Sequence, residues 1–277
     1  PAAAEDTPKV GMQLWFSTPA FLVDLFRKLN QHIELVSSDP VMDPLRMVKD
    51  PGEVDFLRRA QQIAALGMDR VRELLHPGVT GLELAAEATC VMLKAGAEGT
   101  STPIHVNIGR QTCWIHGRAD GTAVQEGDLV IVDLTPMFRG YCANLARTFV
   151  VGKPEKQQRA LLDCYLEMRE ATRRALQPGT TVSRLDNVGK EICERHGLAK
   201  FHIGGIAHGI GLRFEETPAS TIIPQHRTVR IRAGMTMTIG HTVLADPAVG
   251  GVRLEDIYEV TAKGSAVLHE YPVEFEI

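Results

Sequence analysis

Paired cysteines are missing from this sequence. Its five, Cys90, Cys113, Cys142, Cys164 and Cys193, are scattered singly with no CxxC. That pattern excludes a disulfide framework and reads as reduced thiols in a cytoplasmic protein. No run of eighteen apolar residues occurs, so no transmembrane helix is expected. The first residues lack the basic stretch and apolar core of a signal peptide. Positive charge is not in excess: the net charge is −4, which argues against a nucleic-acid or anionic-membrane binder. No P-loop and no GxGxxG follow a strand pattern, so Gly78, Gly179, Gly209 and Gly211 read as turn and packing positions rather than phosphate cradles. What remains is ordinary for a soluble globular protein of 277 residues, 44% apolar and 23% charged, long enough for one large domain with an appendage.

Residues 1–18 are rich in Ala, Pro and polar residues and are expected to begin poorly ordered. Apolar residues at helical spacing (Phe21, Leu22, Leu25, Phe26, Leu29, Ile33) predict a helix within 19–33, followed by a short strand and a linker. Asp50-Pro51 opens a long helix, with Asp50 as cap, Pro51 in the first turn and Glu53 adding negative charge there. Its core positions are Leu57, Ala60, Ile63, Ala64 and Met68, and it ends near Leu75.

The remainder reads as two similar halves. His76-Pro77-Gly78-Val79-Thr80 matches Gln177-Pro178-Gly179-Thr180-Thr181, each ending one helix and starting another. Glu126-Gly127-Asp128 with the β-rich run to Asp133 matches Ala233-Gly234-Met235 with the run to Gly240. The spacing is 101 residues early and 107 later, too long for a solenoid. It predicts two α/β halves about a pseudo-two-fold axis around a central cleft. Strand 129–134, a Pro/Gly turn at 136–140 and strand 141–151 predict a hairpin that brings Asp133 close to Asn144.

These motifs carry a family resemblance. VDLTPMFRGYCANLARTFVVG (132–152), His208-Gly209-Ile210-Gly211-Leu212, Gly234-Met235-Thr236-Met237-Thr238-Ile239 and Gly251-Val252-Arg253-Leu254-Glu255-Asp256 resemble, in order and spacing, those of the creatinase, prolidase, aminopeptidase P and methionine aminopeptidase superfamily. His116-Gly117 sits where that superfamily has its first active-site histidine. The resemblance covers 50–277 and implies the α/β pita-bread fold. Residues 1–49 resemble a remnant of the N-terminal domain of creatinase and prolidase plus a linker. In metal-dependent members five residues bind two divalent ions. Carried over, they are Asp133, Asn144, His208, Gly240 and Glu255. Asn144 stands for a bridging aspartate and Gly240 for a glutamate, so two of four anionic ligands are lost. The family pattern HGxGxxxHE would place a histidine at 215, where this sequence has Glu215. A carboxylate there would repel a developing oxyanion.

Three functions follow as expectations. The first is metal-independent acid–base cleavage at a C–N or amide-type bond of a small polar substrate, as the resemblance to creatinase implies, with no cofactor. There His116 is the main proton-transfer group, His208 and Glu216 position or protonate substrate, and Glu255 completes the catalytic set. Asp133, Asn144, Glu215, His241 and Arg253 contact substrate. The second is a metal-dependent Xaa-Pro peptidase acting on short peptides with substitute ligands, holding Mn, Fe, Co or Zn on Asp133, Asn144, His208 and Glu255. The third is an inactive peptidase-like binding module. His241 follows Gly240 on a strand and is expected to face away from the cleft, unless a bulge at Gly240 turns it inward as a replacement ligand. Asn144 is expected to hydrogen-bond Asp133, and Arg147 to pair with carboxylates. Relatives of the creatinase and prolidase type are commonly dimers, so a homodimer is expected. The tail 269–277 is expected to close a sheet edge or to form a dimer contact.

Overall fold

The computed structural model describes residues 7–13, 18–220 and 222–277. The disorder expected at the start falls largely on residues 1–6 and 14–17, which lie outside the described residues. The chain divides into two compact units, 1–46 and 47–277. In the first, β1 (Lys9–Met12) pairs parallel with β2 (Glu34–Ser37), joined through α1 (Ala20–Leu29). The segment expected to be a linker is largely a helix, α2 (Asp39–Met47). Asp39 supplies negative charge in its first turn, and Pro44 removes one internal hydrogen bond without ending it.

The second unit holds the two expected halves. α3 (Pro51–Leu74) starts with a full capping box. The Asp50 carboxylate accepts from Glu53 N, and Glu53 accepts in return from Asp50 N. The predicted stripe Leu57, Ala60, Ile63, Ala64 and Met68 is entirely buried. α4 (Gly81–Lys94) is capped by Thr80, and the sheet β3 (His105–Ile108), β4 (Leu129–Leu134) and β7 (Leu145–Val150) packs against it, antiparallel in the order β3–β4–β7. Between β4 and β7 a small hairpin, β5 (Met137–Phe138) and β6 (Tyr141–Cys142), turns at Arg139-Gly140. The strand predicted over 141–151 is therefore broken at Ala143-Asn144, where the backbone leaves the hairpin to join β4.

The second half repeats the plan. α5 (Lys156–Ala175) leads to α6 (Val182–Arg195), which Thr181 caps as Thr80 caps α4. Gly78 and Gly179, both at positive φ (97° and 92°), donate their amides to the equivalent carbonyls of Val124 and Ile231. The sheet here is β8 (Thr236–Ile239), β11 (Asp256–Thr261) and β12 (Gly264–Val267), in the order β12–β11–β8, beside a hairpin of β9 (Leu244–Asp246) and β10 (Gly250–Val252). Each half has its own apolar core. Ala146 and Glu255 exchange backbone hydrogen bonds at 3.1 and 3.0 Å where the halves meet, and that junction positions the site. No helix among the described residues is long and apolar enough to cross a membrane.

Arg147 has the structural role expected of it. Fully buried, it pairs with Asp256 at 2.8 Å and donates to the carbonyls of Tyr271 and Pro272. It thereby ties down the tail, whose Ile277 amide bonds Val150 O along the edge of β7. Arg147→Ala strands those acceptors in the interior. It is expected to lower the unfolding free energy by about 3–5 kcal/mol, measured by urea denaturation. A loss under about 1 kcal/mol would show that Arg169, the other cation on Asp256, carries the pair alone.

Candidate functional site

Asp133 and Glu255 come from different halves and both are fully buried. Asp133 is the last residue but one of β4, opposite His105 on β3 and Ala146 on β7. Glu255 lies just before β11 at the junction. Buried carboxylates need compensation, and here Arg253 supplies it. Arg253 Nη1 lies 3.1 Å from Asp133 Oδ2, and Nε donates to Glu255 Oε2 at 3.1 Å. Nη1 also donates to Ile115 O at 3.0 Å and so anchors the loop that carries His116. Burial opposes the guanidinium's charge, but Asp133 and then Glu255 raise its pKa beyond the ordinary value. Burial likewise opposes the Glu255 carboxylate, yet Arg253 and the neighbouring imidazoles hold it well below its usual range. Asp133, which shares that one cation, is left with a raised pKa because burial dominates.

Asn144 takes the role foreseen for it. Its Nδ2 donates to Asp133 Oδ1 at 2.9 Å. Its own backbone is clamped by buried Gln61 of α3, which donates to Asn144 O at 3.1 Å and accepts from Asn144 N at 3.3 Å.

His208 is completely buried. Its Nδ1 lies 2.9 Å from Gly209 O. Only a protonated nitrogen satisfies a carbonyl there, so Nδ1 carries the proton and Nε2 turns its lone pair inward. That Nε2 stands 3.5 Å from Glu255 Oε1, and neither atom has a hydrogen-bond partner among the described residues. Two facing lone pairs repel unless a proton or a cation lies between them. Burial pushes His208 toward neutrality, but Glu255 and Glu215 outweigh it and raise its pKa.

The expectation that His241 faces away is corrected. β8 ends at Ile239, and the amides of Gly240 and His241 both donate to Ile206 O, at 2.8 and 3.1 Å. Two residues against one acceptor is the pattern of a bulge, and it breaks the strand alternation. Gly240 has φ 106°, and a Cβ there would lie 1.8 Å from Leu254 O. His241 consequently sits inside. Its Nδ1 is 3.5 Å from Glu255 Oε1 and 3.2 Å from Arg253 Nη2, and its ring centroid is 4.7 Å from that of His208. Burial is the main cause of its lowered pKa.

Glu215 is the acid of its pair that faces the pocket, with a carboxylate oxygen 3.6 Å from His241 Nε2. Glu216, expected beside substrate, is turned instead onto the buried Lys49 ammonium. Glu215 and Glu216 point to different partners, and Lys49 claims the second. His116 is at the mouth, its ring 5.5 Å from His241 and 5.6 Å from His105. Burial and then Arg253 lower its pKa. His105, absent from the sequence-based candidates, is buried and bonds Gly117 O through Nδ1 at 2.8 Å. Gly117 is required because Asn107 Oδ1 would lie 2.5 Å from a Cβ. A lone histidine in an apolar strand carries no sequence signal.

Among the described residues, two groups each have their donor atoms within 4.8 Å of one another: His208, His241 and Glu255, and His116, Glu215 and His241. The five-position set that would hold two ions does not fit this pocket. Gly240 has no side chain, Asp133 Oδ1 accepts from Asn144 Nδ2, and Asp133 Oδ2 accepts no hydrogen bond among the described residues but is ion-paired with Arg253 Nη1 at 3.1 Å. Asn144 Oδ1 is bare, but a neutral amide oxygen is a weak substitute for a bridging carboxylate. The first donor group does fit one divalent ion, since its bare atoms are two of the three donors.

Comparison with known proteins agrees with the motifs. A family model described as metallopeptidase family M24 matches residues 55–262. The Xaa-Pro dipeptidase of Pyrococcus furiosus is 30% identical over 244 residues, which are 88% of this chain and 69% of that protein. The solved prolidase structures from Pyrococcus furiosus and Pyrococcus horikoshii superpose with TM-scores of 0.88 and 0.89 at 28% identity. They cover 96% and 97% of this chain and 77% and 76% of theirs. The pita-bread fold is thereby shown.

Proposed function

The chain belongs to metallopeptidase family M24, and from that premise we propose that it is a metal-dependent peptidase acting on short peptides of the Xaa-Pro type with a substituted ligand set. The metal-independent, creatinase-like reading expected first gains no support from relatives named Xaa-Pro dipeptidase. The second reading fits better. One observation carries it: His208 Nε2 and Glu255 Oε1 are buried, bare and 3.5 Å apart, with the imidazole proton held on the opposite side.

His208, His241 and Glu255 would hold the ion. When bound, it supplies Lewis-acid polarisation of the scissile carbonyl and a lowered pKa for attacking water. The protein's own groups do the rest. Arg253 and Asn144 keep Asp133 and Glu255 fixed, so the pocket does not reorganise during the reaction. His116, neutral at pH 7 and closest to solvent, passes the proton that the departing proline nitrogen takes up. Glu215 stands where relatives with the HGxGxxxHE pattern have a histidine, and it offers an anionic partner for a cationic end of the peptide.

Dialysis against a strong chelator is expected to abolish hydrolysis of Xaa-Pro dipeptides, with recovery on adding Zn²⁺, Co²⁺, Mn²⁺ or Fe²⁺ in a discontinuous proline assay. Full turnover by the stripped protein would overturn the metal dependence. Absence of hydrolysis across a panel of metal-supplemented Xaa-Pro peptides would overturn the substrate class.

A further inference from the structure

The proposed peptidase function leaves open how many ions the pocket takes and of what kind. Resting on that reading, we propose that it holds a single divalent ion of the zinc or cobalt class on His208 Nε2, His241 and Glu255 Oε1. Arg253 replaces the second ion of a two-ion centre.

Donor spacing supports a single site. Bonds of about 2.0–2.2 Å to nitrogen and carboxylate oxygen in a tetrahedral arrangement place donor atoms about 3.3–3.6 Å apart. Both His208 Nε2 and His241 Nδ1 stand 3.5 Å from Glu255 Oε1. His208 is held by the carbonyl bond at Nδ1 that orients metal-ligating histidines. Glu255 is prepared in the same way: Arg253 engages Oε2 and leaves Oε1 bare. His241 reaches this position only because of the bulge at Gly240. The glycine that removes a carboxylate from the centre also turns an imidazole into it. Arg253 Nη2 now donates to His241 Nδ1 at 3.2 Å. On binding, the ion takes that lone pair, and the guanidinium keeps Asp133, Glu255 and Ile115 O.

Charge supports the same count. At full ionisation Asp133, Glu255 and Glu215 bring three negative charges and Arg253 one positive; Arg253 pairs with Asp133 and Glu255, and Glu215 reaches the group through His241. One dication brings these four side chains to neutrality. A second would leave two uncompensated positive charges in the interior, which is strongly unfavourable. Its ligand set is also depleted: Asn144 donates to Asp133 Oδ1, and the Arg253 cation sits 3.1 Å from Oδ2, where a second cation would meet its charge. Two imidazoles and one carboxylate select zinc, cobalt or iron over manganese or magnesium, which favour oxygen donors.

The test is calorimetric titration of the chelator-stripped full chain with ZnCl₂, and with CoCl₂ followed by visible absorption. One equivalent per chain is expected, with the Co²⁺ bands of a low-coordinate site. His241→Ala and His241→Gln, the second closer to native size, should each weaken binding more than about 100-fold. His196→Ala, an exposed histidine paired with Glu167, should leave binding unchanged. Two equivalents in the wild type would overturn the single-ion site and leave the peptidase reading standing. One equivalent that persists in both His241 variants would overturn the place of His241. No binding of either metal would overturn both this site and the metal dependence.

Discussion

His208→Ala is expected to reduce kcat/KM on an Xaa-Pro dipeptide by about 10³-fold or more, with the fold preserved. Loss of a partner that merely orients a metal ligand costs about 10–100-fold, and His208 is a donor itself. The side chain is completely buried, and among the described residues its hydrogen bond is to its neighbour Gly209 O, so truncation removes ring packing against Phe214 and His241 but no distant hydrogen bond. Its removal also leaves Glu255 Oε1 with a single imidazole in reach, His241. Circular dichroism should stay near wild type and the thermal midpoint should fall by the modest amount a core cavity causes, while turnover falls far more. The same loss should appear in the zinc titration as weakened binding. A variant retaining more than about a tenth of wild-type kcat/KM, or 1.4 kcal/mol in transition-state free energy, would remove His208 from the centre and the carrying observation with it.

The fold was legible where local chemistry repeats. The two Pro-Gly-x-Thr segments are readable because a cap needs Thr and a positive φ needs Gly, and both demands recur at Thr80 and Thr181, Gly78 and Gly179. Asp133, Asn144, His208 and Glu255 were equally readable, being carried by family-like strings, and the structure brings them together. What was not legible depends on departures from regular geometry or on distant pairing. Strand alternation places His241 outside, and only the backbone at Gly240, set by the close approach of Leu254 O, reverses it. Glu216 was expected beside substrate with Glu215, but Lys49, 167 positions away, claims it. Arg253 was named as one of the pocket residues that contact substrate. Its simultaneous hold on Asp133, Glu255 and Ile115 O requires the two halves to be in place. Gln61, which clamps Asn144, falls within the apolar face of a helix and gives no signal of a polar task.

Gly240→Glu, which returns the carboxylate that metal-dependent members of the family carry at this position, is expected to destabilise the protein rather than rebuild a second ion site. A residue with a Cβ at φ 106° is strained by about 1–3 kcal/mol. The Cβ would also lie 1.8 Å from Leu254 O, so segment 239–241 and segment 253–255 must move apart, at a cost typical of overpacking, about 1–3 kcal/mol. That movement pulls on the Ile239–Asp256 end of the β8–β11 pairing and on the Tyr165 hydroxyl, which donates to Gly240 O at 2.7 Å and Thr242 O at 2.6 Å. The combined effect is about 2–6 kcal/mol, which at about 2–4 °C per kcal/mol for a unit of this size lowers the thermal midpoint by roughly 4–24 °C. His241, displaced with the backbone, loses its approach to Glu255, so zinc binding should weaken and not double. Scanning calorimetry with a zinc titration of the same preparation reads both effects. An unchanged midpoint together with two equivalents of zinc would mean that the backbone at 240 readily adopts the geometry of a two-ion centre. In that event the bulge would be a consequence of the missing glutamate, and His241 would be no more than a bystander to it.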